Sequence, residues 1–409
     1  MNADHPENGV LIPRRITHNG LREFFRAGAL GLALAAFPLT VAFAQTDFYT
    51  FGQADLDGPP GSLIRSEIVA GGPSNASSYR VLYRSRGLDG RMTAVSGMVM
   101  IPTSPPSPGG RPVIAWAHPT TGVEDQCAPS LARVFFASVQ GLDDMLARGF
   151  IVAATDYPGL GTAGPHPYLV GVSEGRSVLD SVRAAAALPN SFASRSFAVW
   201  GHSQGGHAAL FAGLIAKRYA PEWRLVGVAA AAPATELSTL LNDDVDTDGG
   251  RNLTAMTLWS WSRVYRAPLA KVVAPDAVPV IDRLAGLCIE RWFDLFSRRA
   301  PTEALRRSFL KTETFADIQP WRRLLARNTP GPLPRSIPVF LAQGGADGLV
   351  RPQVTLAYAR SLCRHGNAVA YQSLEAVGHT FIARDAAPAA IAWIAARFSG
   401  DKPSDDCPL

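Results

Sequence analysis

Short apolar runs alternate with helical patterns along most of the chain, and this alternation predicts the architecture. The run at 112–117 is continuously apolar and the one at 150–155 nearly so, which is typical of strands buried on both faces. The order predicts an α/β fold with a mostly parallel central sheet covered by helices on both faces. The predicted strands span residues 112–117, 150–155, 197–200, 224–231, 337–342 and 368–374. The predicted helices span residues 130–148, 178–187, 204–219, 353–363 and 387–398.

The start of the folded part shows a different pattern. Residues 45–75 are polar and rich in Gly and Pro, so we expect an extended lead-in there. Two β-like runs follow at 79–84 and 93–101, with Asp89-Gly90 between them. The Asp-Gly pair is a strong hairpin signal. This hairpin is predicted to form the antiparallel edge of the sheet.

Residues 234–334 interrupt the alternation and are predicted to form a helical cap or lid. The core of the fold would then comprise a first part at 45–233 and a second part at 335–409. Most aromatic residues of the interval are expected to form its own core, and some to line a substrate cavity, because pockets form where two lobes meet. These aromatic residues are Trp259, Trp261, Tyr265, Trp292, Phe293, Phe296, Phe309 and Trp321.

The first 44 residues have the pattern of a secretory signal peptide. Arginines precede an apolar run at 27–41, and Ala42-Phe43-Ala44 matches a small-x-small cleavage site. Pro38 interrupts the run, which is short for a membrane span. We expect a secreted or periplasmic protein, with a retained N-terminal anchor as the alternative.

Composition and charge narrow the functional class. The 409-residue chain has a formal net charge of +5 without a long basic run, so we expect no nucleic-acid surface. Four cysteines in an exported chain predict two disulfides with three possible pairings. No Cys-x-x-Cys pair suggests zinc, and no metal or cofactor is expected. The cysteines are Cys127, Cys288, Cys363 and Cys407.

The candidate chemistry centres on Ser203, within Gly-His-Ser-Gln-Gly-Gly at residues 201–206. A strand-like run precedes this segment and a small-residue helical run comes after it, which is the strand–turn–helix layout of a hydrolase nucleophile. The turn is tight, and the glycines leave room for close neighbours. The helix after the turn would direct its first amides toward an anion.

A second Gly-x-Ser-x-Gly match occurs at residues 171–175. It follows no clean strand and opens into an amphipathic helix. We interpret it as a helix start, with Ser173 as a candidate N-cap and Glu174 in the first turn. The surrounding pattern therefore favours Ser203 as the nucleophile.

A serine nucleophile needs a base, and the base needs a carboxylate that fixes its tautomer. In the hydrolase layout these residues follow in the order Ser, Asp/Glu, His, on loops at the carboxyl ends of strands. Asp347 and His379 directly follow the last two predicted strands. We predict a triad of Ser203, Asp347 and His379. The alternatives are a turn aspartate and a buried structural histidine.

Other titratable residues fit these roles less well. His202 and His207 lie too close to Ser203 in sequence to fold back as its base. Asp385 falls in the first turn of the last predicted helix, where a carboxylate favours the helix dipole.

The oxyanion hole requires two main-chain N–H groups. Gln204, directly after the nucleophile, is predicted to supply one. The other is expected from the loop after residues 112–117, with Thr120 as first choice and Thr121 as second, because Pro119 has no N–H. His118 is expected to brace this loop.

Together these segments resemble the secretory lipase family, α/β-hydrolases that include fungal lipase-A-type enzymes and bacterial relatives. The resemblance covers most of the mature chain. It implies the triad above, a helical cap over an acyl tunnel, and hydrolysis of lipid-like esters. At position 119 this chain has proline, where many hydrolases have glycine. The segments that carry the resemblance are 118–122, 125–130, 156–161, 166–168, 201–205 and those around Asp347 and His379.

The resemblance also implies that Cys127 pairs with Cys288 and Cys363 with Cys407. The first bridge would tie the cap to the oxyanion loop, and the second would pin the tail to a helix. Loop-closure entropy sets upper bounds of about 5 and about 4 kcal/mol for these two loops.

The function that these observations predict is ester hydrolysis by a secreted serine hydrolase acting on a lipid or small ester. The cap would contact a lipid interface transiently. An acyltransferase with the same triad and a non-catalytic lipid-binding relative are the alternatives, and a peptidase is less favoured because no substrate-sorting domain is visible.

Residues 244–249 match the front half of a calcium loop. The glutamate expected at the twelfth position is absent, because Ala255 stands there. A solvated acidic turn is therefore favoured over a calcium site.

Overall fold

A nine-stranded sheet runs through the residues that the computed structural model describes, which are 47–242, 245–290, 294–312 and 314–409. The strands are β1 (Leu63–Ile68), β2 (Ala76–Arg86), β3 (Met92–Pro102), β4 (Arg111–Ala117), β5 (Ile151–Thr155), β6 (Ala193–His202), β7 (Arg224–Ala231), β8 (Val339–Gly344) and β9 (Val369–Leu374). Across the sheet the order is β1-β2-β3-β5-β4-β6-β7-β8-β9, parallel from β5 onward and antiparallel before it.

The antiparallel edge has one strand more than the sequence predicted. The predicted hairpin is present as β2 and β3, joined at Asp89-Gly90. The expected lead-in at 45–75, however, contains β1, which pairs with β2. Because β1 is an edge strand with no fully buried residue, and its Ile68 is 74% exposed, it lacks the apolar pattern that marks the other strands.

Helices cover both faces of the sheet. Those of the core are α1 (Phe135–Ser138), α2 (Leu142–Ala147), α3 (Gly171–Ala187), α4 (Gln204–Tyr219), α10 (Pro352–His365) and α11 (Ile382–Ser399). Along β4, Val113 and Ala115 pack against the face that carries α3 and α4, whereas Ile114 and Trp116 pack against the face that carries α2 and α11. The continuous apolar runs therefore do mark strands buried on both sides.

The single helix predicted at 130–148 is wrong. The segment forms a 3-10 turn followed by α1 and α2, which Gly141 separates. Gly141 has a φ of +80°, and this left-handed conformation ends one helical path before the next begins.

The segment between β7 and β8 is helical, as predicted. Trp259, Trp261, Phe309 and Trp321 are buried there, and the rings of Trp261 and Trp321 stack with centroids 6.4 Å apart. These aromatic residues form the core of the insertion, whereas Phe296 is exposed. Trp292 and Phe293 lie outside the described residues. The helices of this insertion are α5 (Leu237–Asn242), α6 (Asp248–Val264), α7 (Val278–Ala285), α8 (Leu295–Arg307) and α9 (Trp321–Asn328).

The insertion is joined to the core by covalent and hydrogen bonds. The disulfide Cys127–Cys288 connects it to the segment after β4, and Cys363–Cys407 connects α10 to the C-terminal tail. These are the pairings that the resemblance implied. In α6, Ser260 Oγ donates a hydrogen bond of 2.6 Å to the main-chain carbonyl of His166.

The predicted signal peptide at 1–44 lies outside the described residues. In the ranges that are described, no helix is long and apolar enough to cross a bilayer.

Asp180 of α3 is a buried carboxylate that makes stability depend on pH. Burial raises its pKa to about 6, although Ser85, Tyr219 and Arg183 donate hydrogen bonds to it. In an unfolded chain an aspartate titrates near pH 4. The stability linked to this group is therefore fully present below about pH 4 and is lost as the pH rises through about 6.

Replacing Asp180 with asparagine should remove this part of the pH profile. Two pKa units correspond to about 3 kcal/mol, so the unfolding free energy of the wild type should lose up to that amount from this group between pH 4 and 7. Urea denaturation at several pH values measures this loss, with Asp144→Asn, a partly exposed surface carboxylate, as control. Identical pH profiles of the wild type and the Asp180 variant would contradict the prediction.

Candidate active site

Ser203 lies at the sharp turn between β6 and α4. Its backbone has a φ of +56° and a ψ of −116°, which a residue with a Cβ rarely adopts. The Ser203 N–H donates to the carbonyl of Ala231 at 2.9 Å, so the turn is tied to the end of β7. The neighbouring strand thus holds the strained serine at the carboxyl edge of the sheet.

Gly201 and Gly205 permit this turn because main-chain segments cross there at close range. A Cβ on Gly201 would lie 2.1 Å from the carbonyl oxygen of Gly205, and one on Gly205 would lie 1.9 Å from that of Ala117. Neither distance is possible without movement of the backbone. The second contact also places the loop after β4 directly against the first turn of α4.

The structure brings Ser203, Asp347 and His379 together. Ser203 Oγ lies 2.9 Å from His379 Nε2, and His379 Nδ1 lies 2.8 Å from Asp347 Oδ2. Asp347 follows β8 and His379 follows β9, at the same edge of the sheet as Ser203. Three side chains that are up to 176 residues apart are therefore within hydrogen-bonding distance in one chain of contacts.

The Asp347 carboxylate is held in its ionised form. Burial by itself would raise its pKa, but the hydrogen bond and charge of His379 and the N–H groups of Leu349 and Val350 outweigh burial and lower the pKa below its usual value. An ionised carboxylate only accepts hydrogen bonds, so His379 Nδ1 carries a proton. His379 Nε2 is then free to accept the proton of Ser203.

His202 contacts the loop after β9 that carries His379, and the sequence did not indicate this role. Its Nε2 lies 3.0 Å from the main-chain carbonyl of His379, and the two rings are 5.0 Å apart. Burial and the neighbouring His379 lower the pKa of His202 to about 3, so it stays neutral. As a donor to a carbonyl it anchors the loop that carries His379 to the end of β6.

The loop predicted to complete the oxyanion hole is braced from several sides. Burial lowers the pKa of His118 to about 4, so the ring is neutral and its single N–H donates to one of two nearby main-chain carbonyls, that of Pro119 or that of Asp156. Thr120 Oγ1 lies 2.8 Å from the hydroxyl of Tyr168. The Thr121 carbonyl accepts the N–H of Ile289 from the insertion at 2.7 Å. The main chain of this loop is thus well fixed, and the donor roles of the Thr120 and Gln204 N–H groups remain predictions.

A buried polar cluster that the sequence analysis did not foresee lies beside the first turn of α4. Gln204 Nε2 lies 2.7 Å from Glu174 Oε1 and 2.9 Å from His166 Nε2, and Glu174 Oε2 lies 3.1 Å from His207 Nδ1. All four side chains are buried. The available signal was helical spacing, because Glu174 shares the buried face of α3 with positions 178 and 182.

The second Gly-x-Ser-x-Gly match is a helix start, as predicted, but the role of Ser173 as its cap is wrong. Helix α3 begins at Gly171 and its N-cap is Val170, so Ser173 lies inside the first turn. A Cβ on Gly171 would lie 2.2 Å from the Phe211 ring of α4. The glycine is there for helix packing, which explains the sequence match without a nucleophile.

The segment that matches a calcium loop lies partly within the described residues. Asp244 lies outside the described residues, whereas Asp248 pairs with Arg251 and Arg306. These ion pairs favour a structural role for Asp248. Among the residues with described positions, no group of three or more His, Cys, Asp or Glu is placed to hold a metal ion.

Comparison with known proteins identifies the family of this chain. The family model described as secretory lipase matches residues 137–406. The chain belongs to the secretory lipase family. It is a carboxylic ester hydrolase, which confirms both the resemblance and the predicted reaction class.

Individual relatives agree with this assignment. The chain is 28% identical to lipase A of Moesziomyces aphidis over 204 residues, which are 44% of this chain and 42% of that protein. It is 24% identical to lipase A of Arthroderma benhamiae over 359 residues, covering 83% of this chain and 74% of the relative.

A solved structure supports the fold. Candida antarctica lipase A in its closed state superimposes with a TM-score of 0.70 at 20% sequence identity, covering 88% of this chain and 87% of that one. The predicted α/β-hydrolase fold is therefore confirmed.

Proposed function

We propose that this member of the secretory lipase family is a secreted enzyme that hydrolyses lipid-like acyl esters through Ser203, Asp347 and His379. The observation that carries the proposal is the continuous chain from Ser203 Oγ through His379 to Asp347, with 2.9 Å and 2.8 Å contacts at a strained turn. The signal-like pattern of residues 1–44 and the two disulfides support export.

Acylation begins when Ser203 Oγ attacks the ester carbonyl carbon. His379 Nε2 takes the hydroxyl proton, and Asp347 stabilises the imidazolium that forms. The carbonyl oxygen becomes an oxyanion, which accepts hydrogen bonds from the main-chain N–H groups of Gln204 and Thr120. The bond to the leaving oxygen then breaks, and His379 returns the proton to that oxygen. An alcohol departs and the acyl group remains on Ser203.

Deacylation repeats these steps with water as the nucleophile. His379 takes a proton from the water, whose oxygen attacks the acyl carbon, and the oxyanion forms in the same hole. Collapse of the intermediate returns the proton to Ser203 and releases the carboxylic acid.

The helical insertion is proposed to act as a cap over the acyl group. Its hydrogen bonds with Thr121 of the predicted oxyanion loop and with His166 and Tyr168 support this role. The cap would cover the acyl chain and touch a lipid surface when it opens. Its bounds at 234–334 belong to the same proposal.

The substrate class is best tested by rates on p-nitrophenyl esters of increasing acyl length, with and without an oil–water interface. We expect turnover of esters, loss of activity after treatment with a fluorophosphonate, and the label on Ser203. A folded protein that turns over no ester and leaves Ser203 unlabelled would contradict the proposal. Addition of an alcohol acceptor separates hydrolysis from acyl transfer, since a dominant ester product would indicate an acyltransferase.

A further inference from the structure

The side chain of Gln204 is held in the buried polar cluster beside α4. This inference rests on the proposed function, in which the main-chain N–H of Gln204 is a donor of the oxyanion hole. Two acceptors share its side-chain amide. Nε2 lies 2.7 Å from Glu174 Oε1 and 2.9 Å from His166 Nε2. His166 Nδ1 lies 2.9 Å from the main-chain carbonyl of Pro158, so the proton of this ring is on Nδ1 and Nε2 accepts. Both hydrogens of the amide are therefore used.

The orientation of the Gln204 amide is set by these contacts. If the amide were turned over, its oxygen would face the Glu174 carboxylate and the lone pair of His166, and three acceptors would meet without a proton. Burial also lowers the pKa of His166, in agreement with a neutral ring. Glu174 and His166 thus fix a side chain whose own backbone begins α4.

Glu174 and His207 share one proton between them. His207 Nε2 lies 2.7 Å from the main-chain carbonyl of Asn328, and a carbonyl only accepts, so Nε2 carries a proton. The 3.1 Å contact between His207 Nδ1 and Glu174 Oε2 requires one further proton, on either atom. The pair has zero net charge in both arrangements.

The remaining acceptor capacity of Glu174 is also used. Its Oε1 accepts the main-chain N–H of Leu169 at 2.9 Å as well as the Gln204 amide. No Arg or Lys contacts this carboxylate in the described structure, whereas Asp180 on the same helix pairs with Arg183. The proton shared with His207 is therefore what balances the charge of Glu174.

We propose that Glu174 and His207 form a neutral, proton-sharing pair that holds the side chain of Gln204 and thereby positions its main-chain N–H in the oxyanion hole. They are positioning residues, because neither touches the reacting atoms. Neutrality matters for a physical reason. A negative charge develops on the substrate oxygen beside α4, and an unbalanced buried carboxylate nearby would oppose it in a medium of low dielectric constant.

Two substitutions test the positioning. Glu174→Leu removes both acceptor oxygens, which Glu174→Gln would partly retain, and Gln204→Met removes the side-chain amide while it keeps the main-chain N–H. We expect each to lower kcat and kcat/KM together by about 10- to 100-fold, since a displaced donor costs less than the 10²- to 10³-fold of a deleted one. Binding of a trifluoromethyl ketone, which forms an oxyanion adduct with the serine, should weaken in parallel.

The matched control is Asp180→Asn. It changes a buried, hydrogen-bonded carboxylate on the same helix, but one that contacts Ser85, Tyr219 and Arg183 instead of α4's first turn. It should change stability and leave kcat and inhibitor binding within about twofold of the wild type. End-point labelling with a fluorophosphonate counts the folded active sites in every variant.

The charge balance is tested by a double-mutant cycle. In His207→Gln the charge of Glu174 is unbalanced wherever this carboxylate is ionised, so kcat should fall below that of Glu174→Gln, and increasingly so as the pH is raised. The double variant should recover about threefold or more relative to His207→Gln alone, since the unbalanced charge is then gone. A double variant that is no better than His207→Gln would overturn the neutral pair.

The outcomes separate this inference from the proposed function. If Glu174→Leu and Gln204→Met keep wild-type kcat and inhibitor affinity while Ser203→Ala is inactive, positioning fails and the triad stands. If Ser203→Ala keeps its activity, the proposed function fails first. Should Glu174→Leu not fold, Gln204→Met decides by the same criteria.

Discussion

Replacing Ser203 with alanine should reduce kcat for ester hydrolysis by on the order of 10⁴-fold or more. The acyl-enzyme cannot form without the hydroxyl group, and only binding and the oxyanion hole would still accelerate attack by water. Removing one oxygen from a buried position should leave the fold intact. The measurement is kcat on a soluble p-nitrophenyl ester, normalised to folded protein by circular dichroism.

Ser173→Ala is the matched control for this experiment. Ser173 lies in the same Gly-x-Ser-x-Gly pattern and is buried as well, but it stands inside α3. We expect its kcat to stay within about twofold of the wild type, because it touches none of the triad residues. Ester turnover that survives in Ser203→Ala, or is lost only in Ser173→Ala, would contradict the assignment of the nucleophile.

Replacing Asp347 with asparagine should lower kcat by about 10⁴-fold, with little change in fold. Asp347 Oδ1 accepts the N–H groups of Leu349 and Val350, so the amide oxygen of asparagine must take that position. Its NH₂ group then faces His379 Nδ1 and donates to it. The proton of His379 moves to Nε2, which can no longer accept the proton of Ser203.

Asp385→Asn is the control for the carboxylate. Asp385 follows His379 closely in sequence and lies in the first turn of α11, where its partner is Arg384. We expect its kcat to remain within about twofold of the wild type. A loss in Asp385→Asn that equals the loss in Asp347→Asn would show that the effect comes from local charge and not from the tautomer of His379.

The elements that carry the triad were predictable because their signals are local. Strands β4 and β5 lie between two helical layers and appear in the sequence as nearly unbroken apolar runs, and the alternation of strands and helices predicts a parallel sheet. Asp347 and His379 could be chosen since parallel strands place their carboxyl ends at one edge. Edge strand β1 has one exposed side and little buried surface, and it escaped prediction for that reason.

The residues that support the triad could not be assigned in the same way. His202 and His207 lie too near Ser203 in sequence to act as its base, but this spacing does not indicate which other groups they contact. Their partners are the His379 carbonyl and Glu174, which lie 177 and 33 residues away. Such contacts depend on how α3, α4 and the loops pack, and a local sequence pattern does not predict which distant residues become neighbours.

The sequence by itself therefore determined the succession of strands β2 to β9, most helices of the core, and the choice of Ser203, Asp347 and His379 as the predicted triad. Only the tertiary structure decided which buried polar groups meet, and hence where the protons of His166, His202 and His379 lie. The physical reason is that secondary structure follows the periodicity of neighbouring residues, whereas a buried polar group is stable only with a hydrogen-bonding partner that the fold brings from elsewhere in the chain.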